Sequence, residues 1–102
     1  MDVIIISVLT SSEKEALNIA NALVEKHLAG TVNISKVRSI YYWKKKIYDR
    51  AEWLLLIKTR KERFEEIKNE VIRLHSYEVP EIAAFPISCA SEAYIKWLKE
   101  VT

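Results

Sequence analysis

The spacing of apolar positions changes along the chain, and each change predicts a different element. Val3 to Leu9 is an almost unbroken apolar run, which is typical of a central strand buried on both faces. After it, Ser12 and Glu15 form a capping-box pattern that predicts the start of a helix. Gly30 is expected to end this helix in the left-handed conformation. The apolar stripe of the helix consists of Ala16, Ala20, Leu23, Val24 and His27, the last interpreted as a helix-end residue.

The next segment predicts one long β-hairpin. Residues that favour strands run from Thr31 to about Trp43 and again from Ile47 to Thr59, with Lys44-Lys45-Lys46 as the turn. The apolar phase slips at Ser35-Lys36, which predicts a bulge or bend. A strand of about 13 residues spans roughly 40 Å, whereas a domain of this length has a radius of gyration of only ~13 Å. The hairpin must therefore bend sharply or project from its domain.

The far end of this hairpin is rich in aromatic residues. Tyr41, Tyr42, Trp43 and Tyr48 fall on both faces of the two strands. A projecting hairpin that is apolar on both faces exposes a monomer to aggregation, so a second subunit is expected to cover it. The pattern therefore predicts an oligomer with these four residues in the subunit interface.

Two further helices and one strand complete the predicted order. A helix from about Lys61 to Leu74 is followed by a strand from about Glu78 to Pro86, and Ser91 caps a short C-terminal helix. Pro80 lacks an N–H group, which favours a sheet edge for that strand. The order β-α-β-β-α-β with a last helix predicts a single α+β domain over residues 1–102, with the ferredoxin-like, split βαβ arrangement. The buried stripe of the second helix is predicted to be Phe64, Ile67, Val71, Ile72 and Leu74.

Composition narrows the possible functions. A net charge of +2 is too small to indicate a nucleic-acid or membrane partner, and a single glycine excludes a glycine-rich phosphate loop. The start of the chain resembles neither a signal peptide nor a membrane span. One cysteine, Cys89, allows no internal disulfide and suits the cytosol. Abundant Lys, Glu and Ile, with no glutamine, favour a thermostable protein.

The stretch from His75 to Ile82 concentrates groups that can bind a proton or a metal ion. It contains His75, Tyr77, Glu78 and Glu81. In an ordinary structural interpretation, His75 ends a helix, Tyr77 fills the core, and both glutamates face water. In a functional interpretation the same stretch is a binding site, because sites are often built at element junctions. The residues alone leave both interpretations open.

In order and spacing, the chain resembles the CutA family of divalent-cation tolerance proteins over essentially its whole length. The resemblance implies a cytoplasmic homotrimer of ferredoxin-like subunits joined by their long hairpins. It also implies a protein that binds copper and other divalent ions in the response to metal ions, with no enzymatic activity and no obligatory cofactor. The matching residues are Leu28-Ala29, Val32-Asn33, Ser39 to Trp43, Ile57-Lys58-Thr59, His75, Tyr77 to Ile82, Tyr94 and Trp97-Leu98.

The chain departs from that pattern in ways that affect metal binding. Thr31 stands where many members have a cysteine, Lys45 where glycine is usual, and Ser76 where proline is common. Without the thiol, the remaining imidazole and carboxylate groups suit Cu²⁺ or zinc better than copper(I). The matched positions imply a metal site at His75, Glu78 and Glu81, which is an incomplete ligand set in one chain and is expected to be shared between subunits.

Two alternatives remain at this point. One is a PII-like small-molecule sensor or signalling scaffold, whose ligand clefts between subunits would involve Trp43, Lys58 and Tyr77. An open pocket beside Lys58 would favour it. The other is a nucleic-acid module that uses Lys44-Lys45-Lys46 beside the hairpin aromatics. The absence of aromatics from Val3 to Leu9 argues against an RNA-recognition sheet, so no nucleic-acid partner is expected.

Overall fold

The computed structural model describes residues 2–102 and has an α+β architecture. The strands are β1 (Val3–Thr10), β2 (Thr31–Trp43), β3 (Lys46–Arg60) and β4 (Ile82–Pro86). The helices are α1 (Glu13–Glu25), α2 (Phe64–Leu74) and α3 (Glu92–Val101), and a 3-10 turn at Lys61–Arg63 leads into α2. In this described part of the chain, none of the helices has the length and apolar character needed to span a membrane.

The four strands form one sheet in the order β2-β3-β1-β4, and all neighbouring strands are antiparallel. β1 lies between two strands, as its apolar run predicted, and Ile6 is opposite Ile57 on one side and Ala84 on the other. β4 lies at the edge of the sheet, as Pro80 indicated.

The sheet has one covered face and one face that α1 and α2 leave open. On the covered face, strand residues pack with α1 and α2 in a core that includes Ile6, Leu55, Ile57, Ile19, Leu23, Ile67 and Val71. On the open sheet face, the paired positions Leu9 and Leu54 are half-buried, and Phe85 is 54% exposed. Apolar side chains on this face therefore lack the cover that the helices give the other face.

Residues 37–52 of the hairpin pair only with each other and form an arm that extends beyond β1. The molecule measures 45 × 25 × 21 Å along its principal axes, so the predicted projection is observed. The arm ends in a tight turn at Lys44 and Lys45, whose φ angles are 49° and 64°. Two residues with positive φ are what a two-residue hairpin turn requires. Lys46, predicted to be part of the turn, belongs to β3.

The predicted bulge at Ser35-Lys36 is wrong. The pairing of β2 with β3 is continuous, with Ser35 opposite Leu54 and Lys36 opposite Trp53. Lys36 lies on the covered side of the sheet, where its ammonium group is 5.5 Å from the centre of the Trp53 ring. A cation can be accommodated over an aromatic face, so the polar residue needs no change of register.

The prediction that Gly30 ends α1 in the left-handed conformation is also wrong. α1 ends at Glu25, and His27, with φ of 57°, is the residue in the left-handed conformation. Gly30 has no positive φ, but a Cβ atom there would lie 2.5 Å from Cδ1 of Leu98 and 3.2 Å from the Trp97 ring. Glycine is therefore needed for the close approach of α3.

Local contacts define where several helices and strands begin. Ser12 caps α1 by accepting the N–H of Glu15, and Ser91 caps α3 by accepting the N–H of Tyr94, as predicted. β4 begins at Ile82 rather than Glu78, because residues before it, including Pro80, do not join the ladder. Ile72, predicted to be buried, is 53% exposed.

Candidate functional site

An open groove lies between the arm and the segment that joins α2 to β4. Its volume is about 580 Å³. The arm and β1 form one wall and the 77–81 segment forms the other. The lining residues are Leu9, Ser39, Ile40, Tyr41, Trp43, Tyr48, Arg50, Glu52, Tyr77, Glu78, Val79 and Glu81.

A hydrogen bond between Tyr77 and Glu52 joins the two walls. The Tyr77 hydroxyl donates to Oε2 of Glu52 at 2.6 Å, and Glu52 is only 3% exposed. Burial, and then the bond to Glu52, raise the pKa of the Tyr77 phenol well above its usual value near 10. The phenol is therefore held in its neutral, donating form.

His75 is the C-cap of α2, and both of its ring nitrogens are engaged. Nδ1 accepts the N–H of Tyr77 at 3.0 Å, and Nε2 lies 2.6 Å from the carbonyl oxygen of Leu9. These partners assign the proton to Nε2, which donates to Leu9. The side chain is 0% exposed, and Oε1 of Glu15 lies 3.8 Å from Nδ1. Metal ligation by His75 requires one nitrogen to give up its hydrogen bond.

Glu78 and Glu81 both face the groove but have different partners. Glu78 forms a 3.1 Å ion pair with Lys44 of the arm turn, with both side chains exposed. Oε2 of Glu81 accepts the hydroxyl of Ser7 at 3.1 Å. Across residues 2–102, no three His, Cys, Asp or Glu side chains converge to hold a metal ion. His75, Glu78 and Glu81 thus do not form a complete ligand set in one chain.

The aromatic residues of the arm are divided between its two faces. On the groove side, Tyr41 and Tyr48 stack with ring centres 5.2 Å apart and planes 12° apart, and Trp43 lies beyond them. The guanidinium of Arg50 donates to the Tyr41 hydroxyl at 3.4 Å, a bond that raises the pKa of Arg50. On the other side, Tyr42 is 70% exposed, as is its pairing partner Ile47. The arm is therefore apolar on both faces, as its sequence indicated.

The three residues named for a small-molecule cleft are not brought together. Trp43 and Tyr77 share the groove. Lys58 lies elsewhere on the open sheet face, opposite Ile5 and Thr31, and its ammonium donates to Oδ1 of Asn33. Lys58 does not line the groove, so this groove is not the open pocket beside Lys58 that would favour the sensor alternative.

The sequence did not identify Glu52, Arg50, Ser7 or Glu15 as parts of the site. Glu52 and Arg50 lie on alternate positions of β3. Glu15 of α1 accepts hydrogen bonds from the backbone N–H groups of Ser11 and Ser76. One feature of the sequence could have indicated Glu52 as a site residue: it is an acidic residue directly before the apolar run from Trp53 to Ile57. A buried charge at that position indicates a specific partner.

An α+β chain with a four-stranded antiparallel sheet and a projecting hairpin matches one known class of small proteins in its fold. A family model described as "CutA1 divalent ion tolerance protein" matches residues 4–101. The chain belongs to this family.

Relatives and solved structures support the assignment. The divalent-cation tolerance protein CutA of Thermus thermophilus is 44% identical over 102 residues, covering 99% of this chain and 97% of the relative. That of Archaeoglobus fulgidus is 40% identical over 89 residues, 87% of each chain. The solved A. fulgidus structure has a TM-score of 0.95 at 37% identity, covering 97% of each chain. The solved T. thermophilus structure has a TM-score of 0.94 at 42% identity, covering 98% of each.

The family description specifies tolerance of divalent ions and does not specify a reaction. The names of relatives place them in different compartments. The A. fulgidus structure is named as periplasmic, and a relative in Arabidopsis thaliana, 37% identical over 100 residues, as chloroplastic. Family membership therefore does not assign this chain to one compartment.

Proposed function

We propose that the protein is a ferredoxin-like homotrimer that binds divalent cations such as Cu²⁺ and contributes to metal-ion tolerance without catalysing a reaction. The observation that carries the proposal is the presence of accessible carboxylates, Glu78 and Glu81, in the groove of a chain that belongs to the CutA1 family. Oxygen ligands of this type accept a range of divalent ions.

The donor set of one chain fits such an ion only in part. Two carboxylates fall short of the four to six ligands that divalent ions usually take. We therefore place the ion between subunits, with Glu78 and Glu81 of one chain supplying part of the shell. His75 completes the predicted set only if Nδ1 or Nε2 exchanges its present partner for the ion. Otherwise its role is to position Tyr77.

Two features support the homotrimer. The open sheet face carries apolar residues without helical cover, and the arm exposes Ile40, Tyr42 and Ile47 at 67–70%. Apolar surface of this kind marks an interaction site. The strand order β2-β3-β1-β4, with antiparallel neighbours, supports the ferredoxin-like part of the proposal. The number of subunits rests on the family resemblance.

A cytoplasmic location and the absence of nucleic-acid and membrane partners stay predictions. Lys44 of the triple-lysine segment forms an ion pair with Glu78, which supports a structural role at the arm turn rather than contact with a nucleic acid. The sensor alternative gains no support from Lys58, whose ammonium bonds to Asn33 outside the groove.

Calorimetric titration of metal-stripped protein with Cu²⁺ and Zn²⁺ tests the proposal. Glu78→Gln and Glu81→Gln each remove one anionic ligand and should weaken binding by about tenfold, the factor equivalent to 1.4 kcal/mol. His75→Ala tests the imidazole, and Cys89→Ser should behave as the wild type, because Cys89 is exposed in the segment between β4 and α3. Glu100→Gln, at an exposed position of α3, is the matched control. Unchanged affinity in both groove variants would place the metal site elsewhere.

A further inference from the structure

The open face of the sheet carries a cation and an anion that form no ion pair within residues 2–102. Lys58 follows the buried Ile57 on β3, and its ammonium group donates to the amide oxygen of Asn33. Glu81 lies just before β4, and its Oε2 accepts the hydroxyl of Ser7, a nearly buried residue of β1. Neither charge has an oppositely charged side chain beside it in the described part of the chain. Each is held by a neutral group.

Glu81 differs in this respect from the other two carboxylates of the groove. Glu78 forms an ion pair with Lys44 of the arm turn. Glu52 lies within the electrostatic influence of Arg50, two residues away on the same strand. Among these three carboxylates, Glu81 is the one whose only contact in residues 2–102 is a hydroxyl group. A cation that neutralises it has to come from outside the described chain.

Apolar side chains surround both charges on the open face. Lys58 is opposite Ile5 on β1, and Ile5 is opposite the exposed Phe85 on β4. Leu9 and Leu54, a half-buried pair, lie between these residues and the arm. We assign this surface to the contact between subunits, so both charges lose water when the subunits assemble. A buried charge without a partner is costly, whereas opposite charges that meet and keep their hydrogen bonds are tolerated.

The positions of the two charges determine how they can meet. Asn33, which holds the Lys58 ammonium group, belongs to β2 at one edge of the sheet. Glu81 precedes β4 at the opposite edge. One subunit therefore presents its cation and its anion on different parts of the same face, and the cation of one copy can lie opposite the anion of the next. Such charge complementarity fixes the register of an interface. A contact between two different parts of the surface, repeated head to tail, closes into a ring.

We propose that in the metal-free assembly the Lys58 ammonium group of each subunit pairs with the Glu81 carboxylate of a neighbouring copy. The inference rests on the homotrimer of the proposed function and names the charges that align its subunits. Asn33 and Ser7 keep their hydrogen bonds to the paired groups, which limits the cost of burying the two charges. A divalent ion that binds Glu81 takes the place of this ammonium group.

Charge reversal in metal-free protein tests the pair. Lys58→Glu and Glu81→Lys each bring like charges together, so each should raise the concentration at which the assembly dissociates at least tenfold. The double variant restores opposite charges and should assemble as the wild type does. Light scattering over a dilution series, with EDTA present, follows the dissociation. The matched controls are Lys14→Glu and Glu25→Lys, at exposed positions of α1 outside the open face, and both should assemble as the wild type does.

Mixing the two single variants distinguishes a pair between subunits from a pair within one chain. Contacts between unlike variants bring a glutamate opposite a lysine, so the mixture should assemble at a lower concentration than either variant alone. A double variant that assembles normally, together with a mixture that does not improve on its components, would place the pair within one chain and overturn the proposal. If a reversed variant does not fold, Lys58→Gln and Glu81→Gln replace the reversed residues in a double-mutant cycle, where independent effects on dissociation would contradict the pair.

The same measurements separate this inference from the proposed function. A monomeric wild type would contradict the homotrimer and the ion pair together. An assembled wild type whose charge-reversed variants assemble equally well would contradict the ion pair alone. Neither result depends on copper binding, because EDTA is present throughout.

Discussion

The Tyr77 hydroxyl donates a 2.6 Å hydrogen bond to Glu52, which joins the segment after α2 to the base of the arm. The two residues are 25 positions apart in the sequence. His75 helps to position Tyr77, because its Nδ1 accepts the backbone N–H of Tyr77. Two side-chain contacts therefore connect the arm to the 77–81 segment, this buried hydrogen bond and the exposed ion pair between Lys44 and Glu78.

Tyr77→Phe should destabilise the protein because it removes the only hydrogen-bond donor that Glu52 has within residues 2–102. Leaving a nearly buried carboxylate without its donor is expected to cost about 1–3 kcal/mol. The measurement is urea unfolding at fixed protein concentration. Tyr42→Phe is the control: it keeps the aromatic ring and removes a hydroxyl that has no hydrogen-bond partner among residues 2–102, so it should change little. Equal stability of the two variants would show that the contact is not important.

Alkaline pH should weaken the same contact. The pKa of Tyr77 is raised in the folded protein, so its contribution to stability is complete below the unfolded phenol value of about 10 and is lost as pH rises through the folded value. The difference in unfolding free energy between wild type and Tyr77→Phe should be constant up to about pH 9 and shrink above about pH 10.

Ultraviolet titration of the tyrosines provides an independent check. Burial also raises the pKa of Tyr94, so both Tyr77 and Tyr94 should ionise late. Tyr77→Phe should remove one of these late titrations. A late titration of unchanged amplitude in the variant would contradict the assignment to Tyr77.

The arm should hold the subunits together. Light scattering is expected to give three times the chain mass of 11.9 kDa. Trp43→Ala should make the assembly dissociate more readily on dilution, because truncating an aromatic interface residue often costs ~2 kcal/mol or more. Ile72→Ala, at an exposed position of α2, should dissociate as the wild type does. A monomer mass for the wild type at micromolar concentration would rule out the assembly.

A side chain at Gly30 should destabilise the protein. Gly30→Ala places a Cβ atom against Leu98 and should cost about 1–3 kcal/mol, the usual range for overpacking. Gly30→Asn distinguishes a steric requirement for glycine from a requirement for a left-handed backbone. If a left-handed backbone were required, Asn would be better tolerated than Ala. Because space is the constraint, Asn should be at least as destabilising as Ala in thermal unfolding.

Sequence patterns were sufficient for the elements whose signals are local. The apolar run of β1, the serine caps at Ser12 and Ser91 and the two long strands of the hairpin were all predicted from neighbouring residues. The resemblance to CutA identified the family. Boundaries failed where a distant contact decides the conformation, as at Gly30, whose need for space comes from Leu98 of α3.

The site was only partly predictable for the same reason. The stretch around Tyr77 was identified because its polar groups are adjacent in sequence. Its partners Glu52 and Ser7 lie on other strands, and their proximity depends on the register of the whole sheet. The assignment of His75 as a metal ligand remains a prediction. Its two hydrogen bonds could not be anticipated, because they connect it to Leu9 and to the backbone of Tyr77.

Equilibrium dialysis against Cu²⁺, with bound copper counted per chain in protein of known assembly mass, tests the divalent-cation proposal most directly. The wild type and Cys89→Ser should bind copper in a fixed ratio to the assembly, and a Glu78→Gln, Glu81→Gln double variant of the same mass should lose that copper. Binding that is equal in the wild type and the double variant, or that never saturates, would contradict a metal site built from these carboxylates.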